Sequence, residues 1–266
     1  KNEEKSETGK YTITSPLVID TFFTKDYVAQ IQSIQNVEIR AQVKGYLESI
    51  HADEGQFVKE GYTLFNIMPK MYEAEVQKAE AETKTVELEW QNTKTLAEKN
   101  IVSSTELAIA QAKLDKQRAE LAEAQLELAF TKIKAPFDGT IDRIKLKKGS
   151  LIDEGAILTT LSNNKEVYAY FNVTEVEYLD YKNRKSDDKQ NITLMLANGQ
   201  EYKYKGKIET IESEFDNNTG NIAFRARFPN TELLLKHGET GKVRLSVPLK
   251  NALIIPQKAT FEIQDK

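Results

Sequence analysis

The segment AQVKGYLESIHADEGQFVKEGYTL, Ala41 to Leu64, returns in phase as APFDGTIDRIKLKKGSLIDEGAIL, Ala135 to Leu158. Ala41, Gly45, Ile50, Gly55, Glu60, Gly61 and Leu64 each have an identical residue 94 positions later, at Ala135, Gly139, Ile144, Gly149, Glu154, Gly155 and Leu158. Branched or aromatic residues match in kind at Val43/Phe137, Leu47/Ile141 and Val58/Ile152. A glycine is kept where the backbone needs positive φ or a close approach, so the paired glycines imply paired turns. The chain therefore holds one small β unit in two halves. Neither half can bury its apolar face alone, so the two must pair in space. What separates them sets the architecture.

From Met71 to Lys99 there is no glycine or proline, and strong helix formers dominate. Val76, Ala79, Thr83, Val86, Trp90, Thr93 and Ala97 step alternately by three and four, the seam of a coiled coil. Asn100 tolerates the left-handed conformation that ends helices. Ser103-Ser-Thr-Glu106 then reads as a capping box that starts a second helix, about Thr105 to Lys132. That helix carries Leu107, Leu114, Leu121 and Leu128 at a spacing of seven. Two helices of about 28 residues, each on the order of 42 Å long, joined by a few residues must pair antiparallel. The expectation is an α-helical hairpin inserted into a split β unit.

The flanks read as β structure. Tyr11 to Gln35 favours strands, which Pro16 and the Asp-containing breaks divide into short pieces. Ala135-Pro136 ends the second helix, and Asp138-Gly139 is a hairpin-turn signal. Beyond Asn163, strands are expected at Tyr168–Val173, Ile192–Leu196, Glu201–Ile208, Ile222–Phe228 and Val243–Val247, with Asn198-Gly199 as a type I′ turn and a barrel or sandwich as the result. Leu253-Ile-Ile255 and Phe261-Glu-Ile263 begin a further strand set. The expected fold is mixed α and β, elongated and multi-domain. Residues 1–10 form a polar leader; 11–23 and 249–266 incomplete outer strands; 24–37 and 164–248 a β-barrel; 38–69 and 133–163 the split unit; 70–132 the hairpin.

Composition narrows the function. A formal charge of −4 offers no basic excess for nucleic acid. Without cysteine there is no disulfide framework, thiolate metal site or thiol nucleophile. No run of 18 apolar residues is present to span a bilayer as a helix. His51 and His237, the two histidines, lack ligand-spaced neighbours, and Met68, Met71 and Met195 are too scattered for a soft-metal relay. No nucleophile elbow, phosphate loop or acid–base pair stands out, so no enzyme and no cofactor are expected. Helix charges such as Glu73, Glu75, Lys78, Glu80, Glu82 and Lys84 read as a solvated face with i,i+4 pairs, or as contacts to neighbouring hairpins.

The half-motif, Ala-x-Val/Phe-x-Gly-x-Leu/Ile followed by Gly-x-x-Val/Ile-x-x-Gly-x-x-Leu, resembles a lipoyl/biotinyl-type domain. Its interruption by a coiled-coil hairpin resembles the membrane fusion proteins, the periplasmic adaptors of bacterial tripartite efflux pumps. Val37-Glu-Ile-Arg-Ala-Gln-Val-Lys-Gly-Tyr46, Asp216-Asn-Asn-Thr-Gly-Asn221, Arg225-Ala-Arg-Phe-Pro-Asn230, His237-Gly238, Gly241-Lys-Val-Arg-Leu245 and Ala252-Leu-Ile-Ile-Pro-Gln257 add to the likeness in order. Members serving resistance-nodulation-division transporters look most similar. The resemblance implies a periplasmic adaptor attached to the inner membrane, with a lipid anchor upstream of Lys1 as one means. It implies an inner-membrane transporter and an outer-membrane channel as partners, and self-association into a ring of six copies or a trimer of dimers. It also implies that the hairpin tip contacts the channel. By spacing, Leu96 and Ser103 match the Leu and Ser of the family's tip motif, and Asn92 stands where the family has Arg; Asn100 lies between them. Seam residues Val76, Val86, Trp90, Leu107, Leu114, Leu121 and Leu128 stiffen the arm. Gly45, Gly55, Gly61, Gly139, Gly149 and Gly155 form the turns of the lipoyl-like unit.

Two alternatives stay open. Met68-Pro-Lys-Met71 resembles the site at which biotin domains are modified, so a carrier protein with a helical insertion is one. Pro69 interrupts that motif, and the helical insertion takes the place of the tight turn that modification needs. The other is an adaptor for an ATP-driven exporter.

Overall fold

A computed structural model describes residues 14–183 and 192–256. The leader and the strand expected at Phe261-Glu-Ile263 lie outside the described residues. In chain order the elements are β1 (Leu17–Arg40), β2 (Gly45–Ile50), β3 (Phe57–Val58), β4 (Thr63–Ile67), α1 (Lys70–Glu98) and α2 (Ser104–Phe130). They continue with β5 (Lys132–Lys134), β6 (Gly139–Ile141), β7 (Leu151–Ile152), β8 (Ile157–Thr174) and α3 (Glu175–Asn183). The last are β9 (Ile192–Leu196), β10 (Lys207–Ile211), β11 (Asn221–Pro229) and β12 (Thr240–Ile254). They divide into two compact units, one of Lys1–Ile31, Tyr168–Pro229 and Gly238–Lys266, the other of Gln32–Val167 and Asn230–His237.

The first unit is an antiparallel barrel. Its strands run β10-β11-β8-β1-β12-β9, and Ile192 and Gly206 exchange both backbone bonds to close the ring (3.4 and 3.0 Å). Alternation along β11 turns Ile222, Phe224, Ala226 and Phe228 inward, against Ala169, Phe171 and Val173 of β8. Gly206 is required beneath Phe228, because a Cβ there would lie 2.5 Å from the ring. Helix α3, not foreseen from sequence, sets Tyr181 against Phe224 at 5.3 Å between ring centroids. Its start is Thr174, whose amide and hydroxyl both donate to Glu177 (3.3 and 3.0 Å).

Three sequence expectations are corrected here. Tyr11 to Gln35 is not broken into short strands: β1 runs unbroken over 24 residues. Its aspartates are not breaks. Asp20 accepts the Asn251 amide beside a register shift, and Asp26 forms a two-pronged pair with Arg244 across β12 (2.7 and 2.8 Å). Asn198-Gly199 is not type I′, which needs positive φ at both residues; only Gly199 has it (81°), and the turn closes from the Gly199 amide to the Leu196 carbonyl. Asp138-Gly139 is no hairpin turn either. Asp138 accepts the Glu60 amide at 2.9 Å, and Gly139 opens β6 in extended conformation.

The second unit holds the split motif, in which sequence repetition becomes structural repetition. Strands β7 and β6 begin 94 residues after β3 and β2, and β8 begins 94 after β4. Each half pairs with the other: Gly45↔Ile152 and Tyr46↔Leu151 on one side, Val58↔Gly139 and Phe57↔Thr140 on the other. Under the 94-residue shift each pair maps onto its counterpart. The turn bonds map too. Gly55 N–H to Ile141 and Gly149 N–H to Leu47 both measure 2.8 Å, as do Gly61 to Ala135 and Gly155 to Ala41. The four turn glycines have φ of 78°, 79°, 89° and 80°, where a side chain would be strained. The shared core, with Leu47, Phe65, Ile67, Ile141, Ile152 and Leu158 fully buried, draws on both halves.

Residues 32–37, 164–167 and 230–237 join this second unit rather than the barrel to which the sequence reading gave them. A buried carboxamide accounts for the last segment. Asn230, with no exposure, donates to the carbonyls of Asn164 (2.8 Å) and Leu235 (2.9 Å) and accepts the Leu235 amide (3.1 Å). Every one of its side-chain groups is bonded, as burial demands.

Candidate functional site

The hairpin leaves the β unit where β4 ends and rejoins it at β5. Ile67 N–H donates to the Thr131 carbonyl (2.8 Å), which ties the outgoing strand to the returning helix. Pro69 precedes α1 and offers no side-chain cap, so Lys70 is the first helical residue. The lysine of Met68-Pro-Lys-Met71 thus roots a helix and does not crown a β turn.

The two helices pack chiefly on each other. Val76, Ala79, Leu114 and Ala124 are buried, Leu114 completely. Thr83, Val86, Trp90, Thr93 and Ala97 of α1, and Leu107, Ala110, Leu121 and Leu128 of α2, are half-buried. A two-helix coil covers each seam residue from one side only, which explains the partial burial. The Thr83 hydroxyl crosses the seam to the Gln117 carbonyl (3.3 Å), and Lys94 lies 5.2 Å from the Trp90 ring centroid.

The two flanks differ in charge. On one, Glu87 pairs with Arg118 and Lys84, each at 3.4 Å. Glu75, Glu82, Glu120, Glu123 and Glu127 line a groove on the other, where Lys78 approaches Glu75 (3.7 Å) and Gln117 donates to Glu82 (3.3 Å). Facing carboxylates oppose pairing by about 0.2–0.5 kcal/mol each at an exposed surface, which the apolar seam outweighs.

The tip is a tight, fully specified turn. Asn100 adopts φ of 57°, and Ile101 N–H reaches back to the Leu96 carbonyl (2.9 Å) while Asn100 N–H bonds Ala97 (2.8 Å). That pair of bonds is a Schellman motif with asparagine in the left-handed position. Ser103 Oγ then accepts the Glu106 amide (3.1 Å) and starts α2. The return bond from Glu106 to the Ser103 amide, the other half of the capping box, is not formed.

Among the tip candidates, Asn92 is exposed on the last third of α1 and Leu96 is half-buried one turn further on. Asn100 and Ser103 are exposed, and each also caps a helix. Ser103, Trp90, Thr93, Glu106 and Ile109 line one open groove of about 480 Å³; Asn92, Leu96 and Asn100 do not. Two residues the sequence reading missed are Ile101 and Ile109, 65% and 54% exposed. Projecting the heptad would have found Ile109, which falls off the seam, and an apolar residue after the left-handed position is the usual Schellman companion.

The titratable groups with displaced pKa values serve structure. Hydrogen bonding from Arg244 holds Asp26 below the usual carboxylate range, and Asp26 raises Arg244 in return. Asp138 is lowered chiefly by the Glu60 amide. Burial pushes Glu177 up, but bonds from Lys25, Thr174 and Tyr27 together bring it below its ordinary value.

Two family models match the chain in sequence: the barrel-sandwich hybrid domain of RND membrane fusion proteins over residues 35–161, and the β-barrel domain of the same proteins over 166–249. The efflux pump periplasmic linker BepD of Brucella suis is 29% identical over 91% of this chain and 68% of its own length. The multidrug resistance protein MexA of Pseudomonas aeruginosa is 28% identical over 83% of this chain and 61% of its own. The chain thus spans about two thirds of the length of such relatives. Among solved structures, a MacA–MexA chimera carrying the Pseudomonas aeruginosa MexA α-hairpin superposes with a TM-score of 0.75 over 93% of this chain and 88% of the chimera, at 24% identity. A putative efflux transporter from Bacteroides eggerthii gives 0.67 over 97% of this chain and 81% of that one, at 19% identity.

Proposed function

Since the chain belongs to the membrane fusion proteins of RND type, we propose that it is the periplasmic adaptor of a tripartite pump, joining an inner-membrane transporter to an outer-membrane channel. The observation that carries the reading is the arm itself. A stiff hairpin of two helices, of 29 and 27 residues, leaves a β unit whose halves lock each other. It ends in a turn whose backbone bonds are all made within five residues. An arm so built transmits position, not chemistry, and its distal face is the place for contact with a second protein.

In this reading the tip docks coaxially on the channel's own helical hairpins. Leu96 and Ile101 supply apolar contact, and Asn92 and Ser103 supply hydrogen bonds. Asn92 stands where the family has an arginine, so the contact lacks a five-donor cationic fork and rests more on shape and apolar area. The β units associate side by side in a ring, six copies or a trimer of dimers, around a conduit. The barrel and outer strands meet the transporter. No helix among the described residues is long and apolar enough to cross a membrane, and attachment to the inner membrane belongs to the proposal.

The test separates contact from folding. Leu96→Asp and Ser103→Arg are expected to abolish export while the purified protein melts within a degree or two of the parent. Export that survives both variants overturns the tip assignment. Modification of Lys70, detected as an intact mass above that of the bare polypeptide, would favour a carrier protein instead.

A further inference from the structure

Beside the hairpin root the second unit exposes four large apolar side chains in one place: Tyr46 (52%), Met68 (42%), Met71 (82%) and Leu151 (62%). Scattered apolar residues on a surface need no explanation, but a contiguous group rimmed by charge marks a binding surface. These four floor a groove of about 420 Å³, within the size range of small-molecule sites. The frame is rigid. Tyr46 and Leu151 are register partners on β2 and β7, and Met71 sits in the first turn of α1. The Tyr72 hydroxyl donates to the Lys44 carbonyl (2.8 Å), which fixes that ring at the groove's edge.

Internal symmetry shows that such a groove takes a cover. Under the 94-residue shift, Gly45, Tyr46, Met68 and Leu151 become Gly139, Thr140, Ser162 and Phe57, and these four line a second apolar groove in the same unit. There the chain covers itself: Asn230, Thr231 and Leu233 form its other wall, and Lys165 places its ammonium 5.7 Å from the Phe57 ring centroid. The groove at the hairpin root has no such segment across it.

Charge decides what the open groove accepts. Glu75, Glu127 and Asp153 stand on its rim against Lys44 alone. Of the three acids only Glu75 has a cationic neighbour, Lys78 at 3.7 Å. The negative field reaches inward: the Tyr72 phenol is raised by burial first, and then by the carboxylates of Glu127 and Glu154. Thioether sulfur and aromatic faces are soft, polarisable partners for cations and for flat apolar rings.

We propose that this groove binds small amphipathic cations, an aromatic or alkyl body carrying a quaternary charge, with the body on Tyr46, Met71 and Leu151 and the charge against Glu127 and Asp153. The adaptor would then bind small molecules itself, at a place separate from the hairpin tip. Channel docking plays no part in the argument.

The three methionines make the test direct. With methionine methyl groups labelled in ¹³C, Met68 and Met71 report on the groove, while Met195, on β9 in the other unit, is the internal control. Tetraphenylphosphonium is titrated into the purified chain, and tetraphenylborate serves as the anion of equal size. The expected result is a saturable shift of Met68 and Met71, with Met195 unmoved and a Kd on the order of 0.1 mM. Binding of the anion should be at least about tenfold weaker. Leu151→Ser should abolish the shift, and Glu127→Gln with Asp153→Asn should bring cation and anion close together, each variant keeping the parent Met195 signal. Equal shifts by both ions in the parent, or none by the cation, overturn the proposal. Signals that broaden with protein concentration and sharpen in Leu151→Ser also overturn it, because a second copy of the chain then covers the groove.

Discussion

Gly139→Ala tests the joint from which the hairpin grows, and its expected size follows from the geometry. Gly139 is extended, so the substitution carries no left-handed strain. What a Cβ meets is backbone: the Ser162 carbonyl oxygen at 2.9 Å and its carbon at 3.1 Å, with Leu161 Cγ also at 3.1 Å. Strand β8 cannot yield by rotating a side chain, because Ser162 and Leu161 are register partners of Thr140 and Ile141. The strands must part by a few tenths of an ångström, an overpacking of about 1–3 kcal/mol. The lower entropy of the unfolded alanine chain returns about 0.4–1 kcal/mol, leaving a net loss of about 1–2 kcal/mol. Gly149→Ala is the contrasting control. Nothing lies within 4 Å of its Cβ, and only its φ of 89° resists, at about 1–2 kcal/mol. Global stability therefore does not separate the two variants; location does. Amide hydrogen exchange should rise at Ile141 and along β8 from Leu158 to Ser162 in Gly139→Ala, and around Lys147–Ser150 in Gly149→Ala. A Gly139→Ala protein as protected as the parent along β8 would refute the close-approach argument.

Three further outcomes are expected. Leu114→Ala removes the one fully buried leucine of the seam and should cost about 2–4 kcal/mol, less than the deepest core sites because a two-helix coil can collapse; exchange should quicken throughout α1 and α2 while β2 and β4 keep their protection. Asn230→Ala strands the Asn164 and Leu235 carbonyls and the Leu235 amide, a loss of about 3 kcal/mol seen in denaturant titration. Asp26 has a lowered folded pKa, so its contribution to stability is full above the unfolded value of about 3.9 and fades as pH falls through the folded one; Asp26→Asn should melt lower than the parent at pH 7 and together with it near pH 2.

Much of the fold was legible because glycine spacing and heptads are local signals. The 94-residue repeat located β3, β4, β7 and the start of β8, since each turn glycine carries its backbone requirement in the sequence. The hairpin followed from two uninterrupted seams and from Asn100. Other features depended on partners far along the chain. Asp20 and Asp26 look like strand breakers until Asn251 and Arg244 stand beside them. The inclusion of 230–237 in the split unit depends on one asparagine finding carbonyls at 164 and 235. Asp138-Gly139 has the composition of a turn, yet serves to cap the Glu60 amide and to let β8 approach. Helix α3 announced itself in Thr174-x-x-Glu177, a signal overlooked amid β-rich surroundings. The groove at the hairpin root joins residues 46, 68, 71 and 151, which no local pattern connects.

The central claim is that the hairpin tip meets an outer-membrane channel. A photo-crosslinking amino acid placed at Asn100, and in a second strain at Glu123 partway down the hairpin, tests it in native cells. The account predicts adducts containing an outer-membrane channel protein from position 100 and none from position 123. Channel adducts from neither position, or from both equally, would contradict it.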